Sequence, residues 1–271
     1  MNPIKRRPLL SFFVLTYMLS WLIWLPLWVG GNDASGPLIL FLLVGGLGPL
    51  FAALIVSAIT GTTPELKRRT FKWRNDFRWY LAALLIPIAI FLLAHILHLI
   101  LGGPPMDFSA TDPVYMYPLA LLLVMFLGGG LEEPGWRGFA LPRLQKIYSP
   151  LISSAILGLL WAFWHFPLFF SDASAQSNLP LGWYIPNAIA LAIIFTWLFN
   201  KSGGSAFLAI ILHGGVNAPS GWYPIGTTME TAFGPVSSYA PITISSWIVV
   251  LVIMVFSGLK GNNSNTDDLS V

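Results

Sequence analysis

The stretch Gly128–Leu144, GGGLEEPGWRGFALPRL, places two adjacent carboxylates, Glu132 and Glu133, and an arginine, Arg137, in or beside a long apolar run. A charged side chain at the centre of a hydrocarbon layer costs about 2.5–3.5 kcal/mol by insertion scales, and such residues usually mark function. On a helix, Glu133 and Arg137 are four residues apart and meet on one face, where each neutralises the other. Glu132 points about 100° away from Glu133 at roughly 3.6 residues per turn, so it needs a different partner. One paired and one free carboxylate read as one structural and one reactive group. A charged turn at the lipid headgroups accounts for this cluster equally well, so the choice rests on the remainder of the chain.

Composition defines the class. Of 271 residues, 56% are hydrophobic and 9% charged, against about 25% charged in soluble domains, and the mean hydropathy is +0.73. The chain reads as an all-α polytopic membrane protein whose first partner is the lipid bilayer. It contains no cysteine, which excludes disulfides, thiolate zinc sites and cysteine nucleophiles. A pI of 9.2 would point to nucleic acid in a soluble protein. In a membrane protein basic residues set topology, and no nucleic-acid partner is expected.

Apolar runs of bilayer length, about 20 residues each, fall at Leu9–Gly30, Pro37–Thr60, Trp79–Leu101, Val114 to about Pro142, Pro150–Phe170, Leu181–Phe199, Gly204–Ser220 and Ala240–Lys260. The first is too long for a signal peptide and lacks a small-x-small cleavage site, so it is a retained span. Gly45, Gly46, Gly48, Ala52 and Ala53 suit close helix packing. Thr62–Tyr80 interleaves Lys67, Arg68, Arg69, Lys72, Arg74 and Arg78 with Phe71, Trp73, Phe77 and Trp79, the pattern of an interfacial helix on anionic headgroups. Trp21, Trp24, Trp28, Trp183 and Trp222 read as interfacial belts. No repeat or soluble domain is visible. Residues 1–260 form a single membrane-embedded domain, and the polar tail 261–271 is expected to be disordered.

With eight spans and both termini cytoplasmic, all 14 Lys and Arg fall on the cytoplasmic side. The outer loops then hold Asp33, Asp107, Asp112, Asp172 and Glu230 and no base, as the positive-inside rule requires.

All four histidines lie in apolar spans. At a rise of about 1.5 Å per residue, Glu132, His165 and His213 lie roughly 14–22 Å from the cytoplasmic end. Three polar groups from three helices at comparable depth point to one buried site. His95 and His98 fall near the outer interface, where snorkelling or helix packing accounts for them. A glutamate beside a histidine can take a proton from water. His213 and Asn217, one turn apart, can both donate to a developing oxyanion. Together these are the requirements of amide hydrolysis. The same Glu132, His165 and His213 could instead hold a divalent metal such as zinc that activates bound water. Trp161 and Trp164 are candidates for a groove lining, with core packing as their alternative.

The motif EEPGWRGFALPRL closely resembles the EExxxR motif of the CPBP (CAAX protease and bacteriocin-processing, or Abi) intramembrane proteases, which include CAAX prenyl protease 2-like enzymes. His213–Asn217 matches that family's HxxxN motif. His165 matches its FxxxH motif with Trp161 in the phenylalanine position. The three motifs come in family order within roughly residues 119–220. The resemblance implies an eight-span endopeptidase with a cavity open toward the cytoplasm. By position, Glu132 and His165 would activate water, Glu133 would pair with Arg137 to hold the motif, and His213 and Asn217 would form the oxyanion site. It also implies membrane-associated substrates, either prenylated CAAX proteins or bacteriocin-like peptides. The family is classified with metalloproteases, although a metal-free glutamate mechanism has been proposed for it.

Other intramembrane protease classes are absent, because the chain has no HExxH, no GxGD and no GxSG. A proton-coupled transporter could also bury Glu, Arg and His, with Pro87, Pro134 and Pro167 marking broken helices, but it would commonly show repeat symmetry. A catalytically silent membrane binding partner of the same fold is the third possibility, and intact Glu132, His165, His213 and Asn217 argue against it.

Overall fold

Proline breaks a helix interior, yet at a helix start its missing N–H is no loss and its fixed φ is already suitable. The chain uses it there repeatedly. The computed structural model describes residues 2–29, 37–103, 111, 113–223, 227–231 and 234–259. Proline opens α1 (Pro3–Arg6), α2 (Pro8–Trp24) and α3 (Pro26–Val29), and α4 (Pro37–Gly46) follows. Pro49 and Pro64 sit in the first turns of α5 (Gly48–Thr60) and α6 (Thr63–Thr70). The long α7 (Phe77–Ile100) instead begins on Asp76, whose carboxylate accepts the Arg78 backbone N–H at 3.0 Å. That bond, together with the Arg78 guanidinium, holds the Asp76 carboxyl below the ordinary carboxylate range. Pro118, Pro142 and Pro150 start α8 (Tyr117–Leu127), α9 (Leu141–Leu144) and α10 (Pro150–Trp164). The helices α11 (Leu181–Lys201), α12 (Ala206–Asn217) and α13 (Tyr239–Phe256) complete the bundle.

Each of the eight predicted apolar stretches contains helix among its described residues, but not all have full spanning length. Five described segments are long and apolar enough to cross a membrane, and α4 with α5, bent by 41°, adds a sixth if the pair is one span. The apolar α2 and α12 are shorter, at 17 and 12 residues. α12 rises only about 18 Å, against a hydrocarbon core of about 30 Å. It packs against α7, α8 and α11, so protein rather than lipid surrounds most of it.

The fourth predicted span is interrupted after α8. The chain turns at Gly128–Gly129, makes a 3-10 turn over Gly130–Glu132, and continues as a π-helix over Pro134–Ala140. The predicted interfacial helix over residues 62–80 is confined to α6, and residues 71–76 are not helical. Leu66 of α6 is buried, whereas Phe71, Trp73 and Phe77 are exposed. An antiparallel hairpin, β1 (Thr228–Thr231) with β2 (Gly234–Ser237), was not predicted, and it pairs Thr228 with Ser237 and Thr231 with Gly234.

Tyr17 Oη donates to the Leu160 carbonyl at 2.6 Å, and Trp21 Nε1 donates to the Trp164 carbonyl at 3.0 Å, tying α2 to α10. Trp24 is buried and donates to the Leu42 carbonyl, so it belongs to the interior and not to an interfacial belt. Gly48, Ala52 and Ala53 are buried as close-packing residues.

The basic segments meet at one end of the bundle. There Arg69 Nη1 donates to the Gly138 carbonyl, Lys72 Nζ to those of Ser202 and Gly203, Arg143 Nη2 to Thr62 Oγ1, and Lys201 Nζ to the Ser257 carbonyl. At the other end of α2 and α3, Ser171, next to Asp172, donates to the Leu27 carbonyl. Asp33, Asp107, Asp112, Lys260 and the tail 261–271 lie outside the described residues.

Helices α10 and α11 approach at Gly158, where an added Cβ would lie 2.8 Å from Ile189 Cα and 2.9 Å from Ala192 Cβ. Gly158→Leu is expected to cost about 1–3 kcal/mol by overpacking, measured as a lower thermal midpoint in detergent. Gly182→Ala, which meets nothing within 4 Å, should leave that midpoint unchanged.

Candidate active site

The site begins at the end of α10. Pro167 closes this helix, and the last carbonyls of a helix have no intrahelical donor. Trp21 serves the Trp164 carbonyl, and His165 Nδ1 serves the Trp161 carbonyl at 2.9 Å. A carbonyl only accepts, so Nδ1 carries a proton, and in the neutral ring Nε2 is left with its lone pair. The capping bond therefore sets the tautomer of His165.

The two carboxylates follow the same local rule with different partners. Across the 3-10 turn and π-helix, each reaches the residue four positions later. Glu132 Oε2 accepts from Trp136 Nε1 at 3.2 Å, and Glu133 Oε1 accepts from Arg137 Nη1 at 2.9 Å. π-helical turns are rare and concentrate at functional sites. Each of these two oxygens also has a second, distant partner. Trp161 Nε1 reaches Glu132 Oε2 at 2.8 Å, and His213 Nδ1 lies 2.7 Å from Glu133 Oε1.

Glu133 and Arg137 are completely buried, and Glu132 retains 5% of its surface. The Arg137 guanidinium lies 4.2 Å from the Phe195 ring centre and 5.0 Å from that of Trp161, positions suited to cation–π attraction. The His165 and His213 rings each lie 5.6 Å from the Trp161 ring. Gly129, at φ +101°, covers His213, and a Cβ there would lie 2.5 Å from His213 Nε2. Only glycine adopts that backbone without strain and leaves room for the imidazole.

His165, His213, Asn217 and Trp161 line a cavity of about 370 Å³, together with Tyr184, Asn187, Tyr239, Gln176 and Asn178. None of its described lining residues is Lys, Arg, Asp or Glu. Glu132 adjoins this cavity through its hydrogen bond from the lining residue Trp161.

The structure thus brings Glu132, His165 and His213 together around one indole, while Asn217 shares the cavity and is exposed. The Glu133–Arg137 pair forms as expected. Trp164 does not line the groove. It is buried between the Trp24, Trp136 and His165 rings, and core packing is its role. His98 is buried under Gly103 and is a packing residue. The described side chains supply no three-ligand cage for zinc, because no group of three His, Cys, Asp or Glu among them is placed to hold one ion. His213 engages Nδ1 with Glu133 and His165 engages Nδ1 with the Trp161 carbonyl, which leaves Nε2 as the ligating nitrogen of each ring. Sequence reasoning missed Trp136, although the four-residue rule that paired Glu133 with Arg137 would have found it. The Glu133–His213 contact, 80 positions apart, had no local signal.

Residues 113–219 match the family model described as type II CAAX prenyl endopeptidase Rce1-like, a range that holds Glu132, Glu133, Arg137, Trp161, His165, His213 and Asn217. The chain is 32% identical over 228 residues to CAAX prenyl protease 2 of Methanococcus maripaludis, covering 75% of this chain and 79% of that protein. The chain belongs to the Rce1-like family. It is therefore a membrane-embedded member of a protease family, and the buried network described here is that protease's charged centre.

Breaking one side of a buried pair leaves an uncompensated charge, which typically costs about 3–5 kcal/mol. Arg137→Ala in this Rce1-like protein should lose that much stability, read from thermal or denaturant unfolding in detergent. A midpoint equal to wild type would mean that the pair does not carry the fold. Trp161→Phe keeps the ring and the carbonyl but deletes the N–H donor to Glu132. It should lower kcat about tenfold, as expected for loss of one charge-assisted hydrogen bond, with KM little changed in steady-state peptide assays.

Proposed function

We propose that this chain is a CAAX-type endopeptidase that hydrolyses a peptide bond near the C-terminus of a membrane-associated protein. The observation that carries this reading is the arrangement around Trp161, whose N–H holds Glu132 and whose carbonyl holds His165. A carboxylate and an imidazole lone pair are thereby held on one residue, next to a cavity.

In this mechanism Glu132, assisted by His165 Nε2, takes a proton from water as the water oxygen attacks the scissile carbonyl carbon. The carbonyl becomes a tetrahedral oxyanion, to which Asn217 and His213 donate. Because His213 Nδ1 faces Glu133, donation from Nε2 requires the doubly protonated ring, and Glu133 supplies the counter-charge. Collapse breaks the C–N bond, and the proton held by Glu132 and His165 passes to the leaving amine. Glu133 and Arg137 act as support. The name of the Methanococcus relative favours prenylated CAAX substrates over bacteriocin-like peptides.

The proposed topology has eight membrane crossings and both termini in the cytoplasm. It is supported by the gathering of Arg69, Lys72, Arg143 and Lys201 at one end of the bundle and by the positive-inside rule.

Glu132→Gln keeps the shape of the side chain and removes the base. Peptide hydrolysis should fall by about 10²–10⁴-fold while the thermal midpoint stays near wild type. Mass spectrometry of new peptide termini, comparing membranes expressing either form at equal levels, should find termini made only by wild type. Identical profiles with both proteins folded would turn the reading toward a binding or transport role.

A further inference from the structure

Two helices that carry none of the motif residues, α11 and α13, also line the cavity. Tyr184, Asn187, Ala188 and Leu191 do so at positions i, i+3, i+4 and i+7, which form one face of α11. Tyr239 and Ile242 do so from the first turn of α13. The helices are tied together beside this face, where Thr243 Oγ1 donates to the Trp183 carbonyl at 3.1 Å and Asn187 Nδ2 donates to Tyr239 Oη at 2.8 Å. The Tyr239 backbone N–H donates to Ser237 Oγ at the end of the hairpin, which positions the start of α13.

Two polar groups on this wall are left over. Asn187 is only 3% exposed, and its Oδ1 has no partner among the described residues. The Tyr184 ring stands edge-on to His165 with centroids 5.9 Å apart, and Phe169 and Tyr239 pack against it. Its hydroxyl makes no hydrogen bond to a described residue. A buried amide oxygen without a donor is unfavourable in the resting protein. The two groups are neutral, one accepts and the other donates, and no described lining residue is charged. They therefore suit a neutral ligand that presents a donor beside an acceptor. In an extended chain the N–H and C=O of one residue point to the same side, so peptide backbone meets that requirement.

We propose that Tyr184 and Asn187 form a backbone-reading subsite for the substrate. One residue of the segment beyond the scissile bond lies extended along the α11–α13 wall, with its N–H donating to Asn187 Oδ1 and its C=O accepting from the Tyr184 hydroxyl. This short end is the part that a cavity of about 370 Å³ can take in, because the other side of the bond carries the rest of the protein. The inference deepens the endopeptidase reading and rests on it for the identity of the ligand. It adds two positioning contacts that lie outside the three motifs, next to the His165 that assists the attacking water.

The test pairs changes in the peptide with changes in the protein. A fluorescent farnesylated peptide ending in a CAAX sequence is made with an ester in place of each non-scissile amide in turn. An ester deletes one N–H and weakens its own carbonyl as an acceptor. Binding is measured by fluorescence anisotropy to the full-length Glu132→Gln protein in detergent, alone and combined with Asn187→Leu or Tyr184→Phe. One ester should weaken binding to Glu132→Gln about tenfold, and Asn187→Leu should reduce that cost to less than about twofold. The ester at the next amide, which weakens the carbonyl facing Tyr184, should cost about threefold and lose its effect only in Tyr184→Phe. A merely structural role for either side chain would weaken all the peptides alike and leave the cost of each ester unchanged. That outcome, or no binding of the all-amide peptide to the folded protein, would overturn the inference. Tyr184→Phe keeps the ring packing and carries the test alone should Asn187→Leu fail to fold. Binding does not depend on turnover, so these couplings in a protein whose Glu132 form cleaves no peptide would refute the endopeptidase reading and leave the subsite standing.

Discussion

One carboxylate oxygen, Glu133 Oε1, receives both Arg137 and His213 in a region that no solvent reaches. An unpaired charge at such a place is strongly unfavourable, so the two donors must stay where they are once the bundle forms. That requirement fixes the π-helical segment against α12. The pairing is not complete in hydrogen bonds, since Glu133 Oε2 and the Arg137 Nε and Nη2 atoms are buried without partners among the described residues. The ring faces of Phe195 and Trp161 supply part of the missing stabilisation of the guanidinium. A buried pair of this kind is weak evidence for net stability, and its consequence here is positional. It holds His213 in one orientation beneath the Gly129 turn.

Trp161 is the second organising residue. Its N–H orients Glu132, its carbonyl sets the His165 tautomer, and its ring packs on both histidines and on Arg137. The resembling family motif carries phenylalanine at this position. Phenylalanine would keep the ring and the carbonyl but not the N–H, so this chain gives Glu132 a donor that the motif as written does not contain. Trp136 supplies another from within the first motif. Two indoles thereby donate to one oxygen of Glu132, while one oxygen of Glu133 takes Arg137 and His213.

The two ends of the bundle differ for reasons of membrane physics. At the basic end, helix-terminal carbonyls and hydroxyls take Lys and Arg donors, which ties neighbouring helices together. At the other end, the short α12 stops early and leaves space that neutral polar residues line. A short, deeply packed helix is tolerated because its neighbours, and not lipid, meet its ends.

Much of this was legible in the chain itself. Hydropathy and the lack of charge required a helical membrane protein, and the segregation of bases ordered the loops. The three motifs singled out Glu132, Glu133, Arg137, His165, His213 and Asn217 as candidates, because residue type and helical spacing are local properties. The interruption after α8, the hairpin and the true lengths of α2 and α12 were not legible, since apolar composition is equally compatible with a continuous span. Nor could the sequence separate the two roles of Trp161 and Trp164, one lining the cavity and the other packed in the core. Partners such as Glu133 with His213, or Trp161 with Glu132, depend on how helices distant in sequence are placed against each other, and only the tertiary structure decides that.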